Sequence, residues 1–176
     1  DLKIATPYTE WTFPGAITRM PEFTAPSLGN KENVVMIDVD VPADATGVLY
    51  ALGGFSGGLA LYLEKGVLSY EYNLFEITRT HIKAQSPLAA GRVKIEVVTR
   101  YGEKKPAGPL DVTLKVDGQV VAEGRVPVSA PIGFTANDCF DIGTDLGSPV
   151  SVDYYDEAPF PFNGTIHEVH VKYTEE

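Results

Sequence analysis

The sequence predicts an all-β protein, an antiparallel two-sheet jelly-roll sandwich, from three observations. Apolar residues recur at every second position in many short segments, the spacing that places alternate side chains on one face of a strand. Turn-forming residues separate those segments, and no stretch has the 3.6-residue periodicity of an amphipathic helix. Many short strands joined by tight turns bury their apolar faces by stacking as two sheets.

The chain has 176 residues, the size of one domain that can bury a core without disulfide bonds or structural metals. We expect a single β-sandwich domain over residues 34–176. The preceding segment 1–33 holds four prolines too close together for a long helix or a central strand, so it is predicted to be linker-like and to wrap the sheet. Within it, Trp11 and Phe13 alternate in a short edge strand, where Trp11 is expected to anchor packing.

The first strands of the sandwich have the most regular patterns. Residues 34–41 alternate apolar and polar side chains and predict a half-buried strand. Residues 47–73 predict a three-stranded meander, reversed at the glycine cluster 53–58 and again at 64–66, because glycine adopts positive φ at little cost. In each strand of the meander, residues at every second position are predicted to share one face: Leu49 and Ala51; Leu59, Leu61 and Leu63; Leu68, Tyr70 and Tyr72.

The later strands are shorter or less regular. They are predicted, in chain order, at 77–82, 91–101, 111–116, 119–123, 139–143 and 162–173. Asp117-Gly118 joins two of them and is the dipeptide that best fits a two-residue type I′ hairpin turn. Loops are predicted at 130–137 and 144–161.

The composition restricts the partners of the chain. A formal charge of −10 argues against nucleic acid and against anionic membranes, because a surface that binds phosphates needs clustered Lys and Arg. No apolar run reaches the length of a transmembrane helix. The single cysteine, Cys139, excludes an intramolecular disulfide and is expected to be a small buried apolar residue.

Four segments carry a resemblance to a known family. The order of GVLYALGGFSGGLALYLEKGVLSYEYN, LDVTLKVDGQVVAEGRVP, FDIGTDLGSPVSVDY and PFPFNGTIHEVHV resembles the C-terminal region of bacterial arylsulfatases, and FPGAITRMPEFTAPSL is similar to the linker before that region. The resemblance implies a concanavalin A-like or laminin G-like sandwich of the lectin and glucanase type. It also implies a non-catalytic domain appended to a separate sulfatase domain.

Catalytic chemistry is not predicted for this chain. The sulfatase signature is a Cys or Ser followed by Pro at the second and Arg at the fourth position, and Cys139 is followed by Phe-Asp-Ile-Gly. The Glu-x-Asp-x-x-Glu strand of sandwich glycosidases is also missing, since the nearest segment, 36–40, has no glutamate. His167 and His170 lie three residues apart in a strand and are expected on opposite faces, so they cannot bind one ion.

The segment 141–162 concentrates carboxylates and aromatic rings in a predicted loop. Carboxylates and loop carbonyls are the ligands that Ca²⁺ prefers, so Asp145 and Asp153 are predicted as candidate calcium ligands. Tyr154 and Tyr155 are candidates for stacking on sugar rings. The alternative interpretation is a solvated acidic loop whose aromatic side chains pack against the sandwich.

Three functions from different classes are considered, and an independent enzyme ranks last because no catalytic set of residues is found. The preferred hypothesis is a non-catalytic accessory domain of an arylsulfatase-like protein that supports stability, assembly or substrate access, with a sulfatase catalytic domain or another protein subunit as partner. The alternative is a carbohydrate-binding, lectin-like module with a glycan as partner. A contiguous exposed apolar patch would favour the first function, and a groove lined with aromatic side chains would favour the second.

Overall fold

The structure, a computed structural model, describes residues 9–21, 25–130, 134, 139–146 and 148–174. In these residues the chain forms β-strands and one 3-10 helix, Val152–Glu157. The strands, in chain order, are β1 (Glu10–Phe13), β2 (Ile17–Pro21), β3 (Asn33–Val41), β4 (Gly47–Gly54), β5 (Gly57–Glu64), β6 (Val67–Leu74), β7 (Thr78–Lys83), β8 (Gly91–Tyr101), β9 (Leu110–Val116), β10 (Gln119–Val126), β11 (Cys139–Ile142) and β12 (Thr165–Tyr173).

The strands form two sheets of six. Sheet A has the order β1-β12-β3-β8-β9-β10, and sheet B has the order β2-β11-β4-β5-β6-β7. Neighbouring strands are antiparallel in both sheets, and the sheets face each other across one large apolar core. The predicted all-β two-sheet sandwich is therefore confirmed. Within the described residues, no helix is long and apolar enough to cross a membrane.

The meander predicted from residues 47–73 is present as β4, β5 and β6. The residues predicted to share one face of β5 and of β6 all lie in the main core, as predicted: Leu59, Leu61 and Leu63, and Leu68, Tyr70 and Tyr72. In β4 the prediction that Leu49 and Ala51 share a face is wrong. A bulge shifts the register between Val48 and Tyr50, so Leu49 and Tyr50 both reach the main core while Ala51 faces the opposite side.

The hairpin predicted at Asp117-Gly118 is also present. The φ angles of the two residues are 49° and 83°, the left-handed values that a type I′ turn requires. The N-terminal segment contributes more than a wrapping: β1 pairs with β12 at the edge of sheet A, and β2 pairs with β11 at the edge of sheet B. Trp11 is 8% exposed and packs edge-on against Tyr173, with ring centroids 5.1 Å apart.

Both histidines of β12 project from the solvent-facing side of sheet A, so the prediction that they lie on opposite faces is wrong. A bulge between Ile166 and Glu168 changes the alternation, and His167 and His170 then hydrogen-bond to two different carboxylates, those of Asp40 and Glu10. The two imidazoles therefore have separate partners and do not form one ion site.

The feature that positions the candidate site is a second apolar cluster on the outer face of sheet B. Residues 143–146 and 148–162, which include the 3-10 helix, lie over β4 and β5 and bury a set of side chains there: Val48, Ala51, Ala60, Tyr62, Val150, Tyr154 and Phe160. The meander is consequently buried on both faces, although the sequence predicted only a loop here. This second apolar cluster ends near β6 and β7, where the outward-facing side chains are polar.

Candidate functional site

The candidate site lies on the outer face of sheet B, between β7 and the 3-10 helix. Strand pairing places Glu71 of β6 opposite His81 of β7, and the neighbouring outward positions of β7 are Arg79 and Lys83. We call these three basic residues, Arg79, His81 and Lys83, the β7 row. They stand at alternate positions of one strand, so their side chains project from the same face.

Glu71 forms the floor of the site. Its side chain has no exposure to solvent, and its two carboxylate oxygens have separate donors. The Ser151 hydroxyl donates to Oε1 at 2.5 Å, and Arg79 Nη1 donates to Oε2 at 2.6 Å. A buried carboxylate is tolerated only when it is paired and hydrogen-bonded in this way, so Glu71 fixes both the 3-10 helix start and the Arg79 guanidinium.

Arg79 is held in place by three contacts. Besides Glu71, its Nη1 atom donates to the Val150 carbonyl oxygen at 2.8 Å, and its Cζ atom lies 4.9 Å from the centroid of the Phe55 ring. Both hydrogen bonds use the same nitrogen. The Nε and Nη2 donors of the planar guanidinium are therefore left for solvent or for a ligand.

Asp153, in the 3-10 helix, closes the opposite side of the site. Its Oδ2 atom accepts hydrogen bonds from the Tyr62 hydroxyl at 2.7 Å and from Lys83 Nζ at 2.9 Å. Partial burial opposes ionisation of Asp153, but the hydrogen bonds from Lys83 and Tyr62 together outweigh it and lower its pKa below the usual value. The same contact raises the pKa of Lys83, so this pair is charged at neutral pH.

Glu71, His81 and Asp153 are close enough together to be considered as metal ligands, since the ligand atoms lie within 4.8 Å of one another. His81 Nδ1 is 3.3 Å from Glu71 Oε1 and 3.9 Å from Asp153 Oδ2. However, Arg79 and Lys83 already balance the charge of the two carboxylates. A divalent cation would have to displace them, so the arrangement fits a polar binding surface better than a metal site.

An aromatic edge borders the β7 row. Tyr155 is 54% exposed, and its ring packs edge-on against the half-buried ring of Phe55 at a centroid distance of 5.3 Å. The turn that carries Phe55 is fixed by a hydrogen bond from its backbone N–H to the Ser148 hydroxyl at 2.9 Å. Arg79 lies over the Phe55 ring of this aromatic pair. The pair formed by Tyr155 and Phe55 and the polar floor at Glu71 are therefore parts of one continuous surface.

The two tyrosines predicted for sugar stacking have different environments. Tyr154 is 1% exposed, stacks on Phe160 in the second apolar cluster and donates to Asp145 Oδ2 at 2.6 Å. Burial, together with the neighbouring Asp145 carboxylate, raises the pKa of the Tyr154 phenol well above its usual value. A sugar ring has access to Tyr155 and not to Tyr154.

The two predicted calcium ligands are engaged with protein donors. Asp145 is 1% exposed and accepts from the Val150 N–H as well as from Tyr154, so it holds the loop closed. Asp153 lies with Glu71 and His81, in a group that does not include Asp145. The calcium prediction stays a prediction, as does the burial of Cys139, whose side chain lies outside the described residues.

Sequence reasoning missed Glu71 and the β7 row. The available signal was the β6 sequence VLSYEYNL, in which Ser69, Glu71 and Asn73 alternate with core residues although all three are buried. A buried polar face on a central strand requires partners. One partner of Glu71 is Ser151, which lies 80 residues further along the chain and which no local pattern indicates.

Comparison with known proteins supports the fold. No protein-family model matches the chain, and no curated protein sequence is similar to it. Among solved structures, the CBM40 domain of the Ruminococcus gnavus IT-sialidase superposes with a TM-score of 0.61 at 14% identity, covering 92% of this chain and 91% of that one. The mouse laminin α1 chain, domains LG4-5, gives 0.59 at 14% identity, covering 92% of this chain and 40% of that chain.

A third similar structure, the Caenorhabditis elegans galectin LEC-6, has a TM-score of 0.52 at 12% identity and covers 92% of this chain and 96% of its own. At such identities the similarity establishes the fold alone, a concanavalin A-like or laminin G-like sandwich. The similar structures named here include no arylsulfatase, so they support the fold that the sequence resemblance implied and give no support to the link with a sulfatase.

Proposed function

We propose that this chain is a carbohydrate-binding, lectin-like module and that its glycan site is the surface formed by Tyr155, Phe55 and the β7 row. The observation that carries the proposal is the exposed Tyr155 ring beside a fixed set of hydrogen-bonding side chains. A sugar presents an apolar ring face and a ring of hydroxyls, so it needs an aromatic platform together with positioned donors and acceptors.

The fixed geometry of the site is a second argument for binding. Arg79, Asp153 and Lys83 are oriented by contacts within the protein, so a ligand does not have to order them on binding. Preorganisation of this kind increases affinity because less side-chain entropy is lost. The similar structures agree with this function: the R. gnavus CBM40 domain has been solved with α2,3- and with α2,6-sialyllactose.

A glycan array followed by titration calorimetry tests the proposal. The protein is expected to bind a subset of glycans, and Tyr155→Ala is expected to weaken that binding by about tenfold or more, as truncation of an aromatic anchor does. Val120→Ala is the matched control, because Val120 is 55% exposed but lies on β10 of the other sheet. Binding that is equal in Tyr155→Ala and Val120→Ala would contradict the proposed site.

An accessory role in docking to another protein is the second candidate. The β6–β7 turn favours it, because it presents two large apolar side chains to solvent, with Phe75 38% and Ile77 80% exposed. A sulfatase catalytic domain or another subunit is the expected partner.

The docking function has its own test. Mixing the chain with a candidate catalytic domain should raise the melting temperature of that domain, and Ile77→Asp should abolish the effect while glycan binding is retained. No change in melting temperature on mixing would exclude docking to that domain. In either role, we propose that the chain itself is not an enzyme, because Cys139 lacks the following proline and arginine of the sulfatase signature.

A further inference from the structure

We propose that the ligand of this site is an anionic sugar, one that carries a carboxylate or a sulfate ester, and that the β7 row binds the anionic group. This inference rests on the proposed glycan-binding function and specifies its ligand class. It is not suggested by the overall charge of −10, which disfavours anions. It depends on how charge is distributed between the buried and the exposed atoms of the site.

In each ion pair of the site, the carboxylate is less exposed than its basic partner. The Glu71 side chain is fully buried, and its oxygens are occupied by Ser151 and Arg79. The Asp153 side chain is 25% exposed and accepts from Tyr62 and Lys83 through Oδ2. Both carboxylates are hydrogen-bonded within the protein, so they orient the basic side chains and are not the principal groups presented to a ligand.

The basic partners are the more exposed members of these pairs. The Lys83 side chain is 45% exposed against 25% for Asp153, and the Arg79 side chain is 19% exposed against 0% for Glu71. The His81 ring, 34% exposed, lies between them on β7. Arg79 is also rigid, because Glu71 and the Val150 carbonyl fix one nitrogen and Phe55 supports the plane of the guanidinium. The Nε and Nη2 donors that remain match the spacing of two oxygens of a carboxylate or sulfate.

The aromatic edge supplies the second part of such a ligand. Phe55 contacts both Arg79 and Tyr155, with the Tyr155 ring centroid 5.3 Å from that of Phe55. An anionic group bound at Arg79 therefore places the sugar ring that carries it beside Tyr155. A neutral sugar can use Tyr155 as well, but its hydroxyl oxygens are weaker acceptors for the donors of the β7 row than the charged oxygens of a carboxylate or sulfate, which reduces its affinity.

The test compares three ligands that share one core: lactose, 3′-sialyllactose and 3′-sulfolactose. Calorimetry at fixed salt is expected to give at least tenfold tighter binding for one or both anionic ligands than for lactose, with affinity falling as NaCl is raised. Tight binding of only 3′-sialyllactose or only 3′-sulfolactose identifies the carboxylate or the sulfate as the recognised group. Equal binding of all three overturns the inference and leaves the proposed glycan-binding function intact.

Two variants locate the anion. Lys83→Met should reduce binding of the anionic ligand to near the level of lactose, and Lys172→Met, an exposed lysine of β12 in sheet A, is the matched control that should keep the preference for the anion. Arg79→Lys keeps the charge that balances Glu71 but removes the planar fork, so it should also lose the preference for the anion while the protein stays folded in a thermal melt. An unchanged preference in both Lys83→Met and Arg79→Lys overturns the inference. A failure of every glycan to bind contradicts the proposed function itself.

Discussion

Arg79→Met should destabilise the protein strongly at neutral pH and much less at pH 5. The variant removes the guanidinium that pairs with Glu71, whose side chain is completely buried, and methionine cannot replace it. A glutamate that is left buried without a partner is expected to take up a proton. Protonating a carboxyl group of ordinary pKa, near 4.3, costs about 3.7 kcal/mol at pH 7 and about 1 kcal/mol at pH 5.

These values are upper limits, because the Ser151 hydroxyl still donates to Glu71 and His81 Nδ1 lies 3.3 Å away. We therefore expect a loss of about 3 kcal/mol at pH 7, which corresponds to a melting temperature lower by about 10 °C in a domain of this size. Urea unfolding at pH 7 and pH 5, followed through the fluorescence of the single tryptophan, Trp11, measures both values.

Arg92→Met provides the matched control. Arg92 forms a bidentate pair with Asp38, but the two side chains are 61% and 37% exposed, so solvent screens the interaction and the variant should change stability little at either pH. A loss in Arg79→Met that is as small as in Arg92→Met, or that is the same at pH 7 and pH 5, would refute the role assigned to the buried pair.

Four further predictions concern the fold, acid stability, calcium and catalysis. Gly118→Ala should cost about 1 kcal/mol in a denaturant titration through backbone strain alone, whereas Gly47→Ala should cost more, because its Cβ would also meet the backbone of the neighbouring segment; equal losses would contradict this. Because the pKa of Asp153 is lowered in the native state, its ionised form contributes stability above the ordinary carboxyl pKa, and this stability is lost as the pH falls through the lowered value. Asp153→Asn should therefore flatten the decline of melting temperature from about pH 5 to pH 2. Melting curves in EDTA and in millimolar CaCl₂ should coincide, because Oδ2 of Asp145 and Oδ2 of Asp153 each accept two hydrogen bonds from protein donors; a calcium shift that vanishes in Asp145→Ala would instead support the calcium prediction. The purified chain should not hydrolyse p-nitrophenyl sulfate, and turnover that disappears in Cys139→Ala would disprove this.

The sandwich could be predicted because its strands obey local rules. The alternation in β5 and β6 and the Asp117-Gly118 turn each specify their structure within a few residues of sequence. The failures occur where a single residue disturbs the alternation. The bulge at Leu49 separates it from Ala51, and nothing in the composition of β4 marks the position of a bulge.

The candidate site was less predictable, because its contacts join distant parts of the chain. Tyr154 and Tyr155 are adjacent and of the same type, and only the path of the 3-10 helix decides that the first is buried and the second exposed. Similarly, Glu71 is tolerated in the interior because Ser151 and Arg79 reach it from separate elements. Local patterns indicated aromatic and acidic residues in the segment 141–162, but not which of them face solvent.

Mapping of a glycan onto the folded protein by NMR tests the central claim most directly. A ¹⁵N-labelled sample is titrated with the tightest ligand found on the array, and amide shifts are assigned to the elements of the sandwich. We predict that the largest shifts occur in β7, in the Phe55 turn and in the 3-10 helix, and that they are absent in Tyr155→Ala. Shifts confined to the outer face of sheet A, or an unchanged spectrum at saturating ligand, would contradict the assignment of this surface as a glycan-binding site.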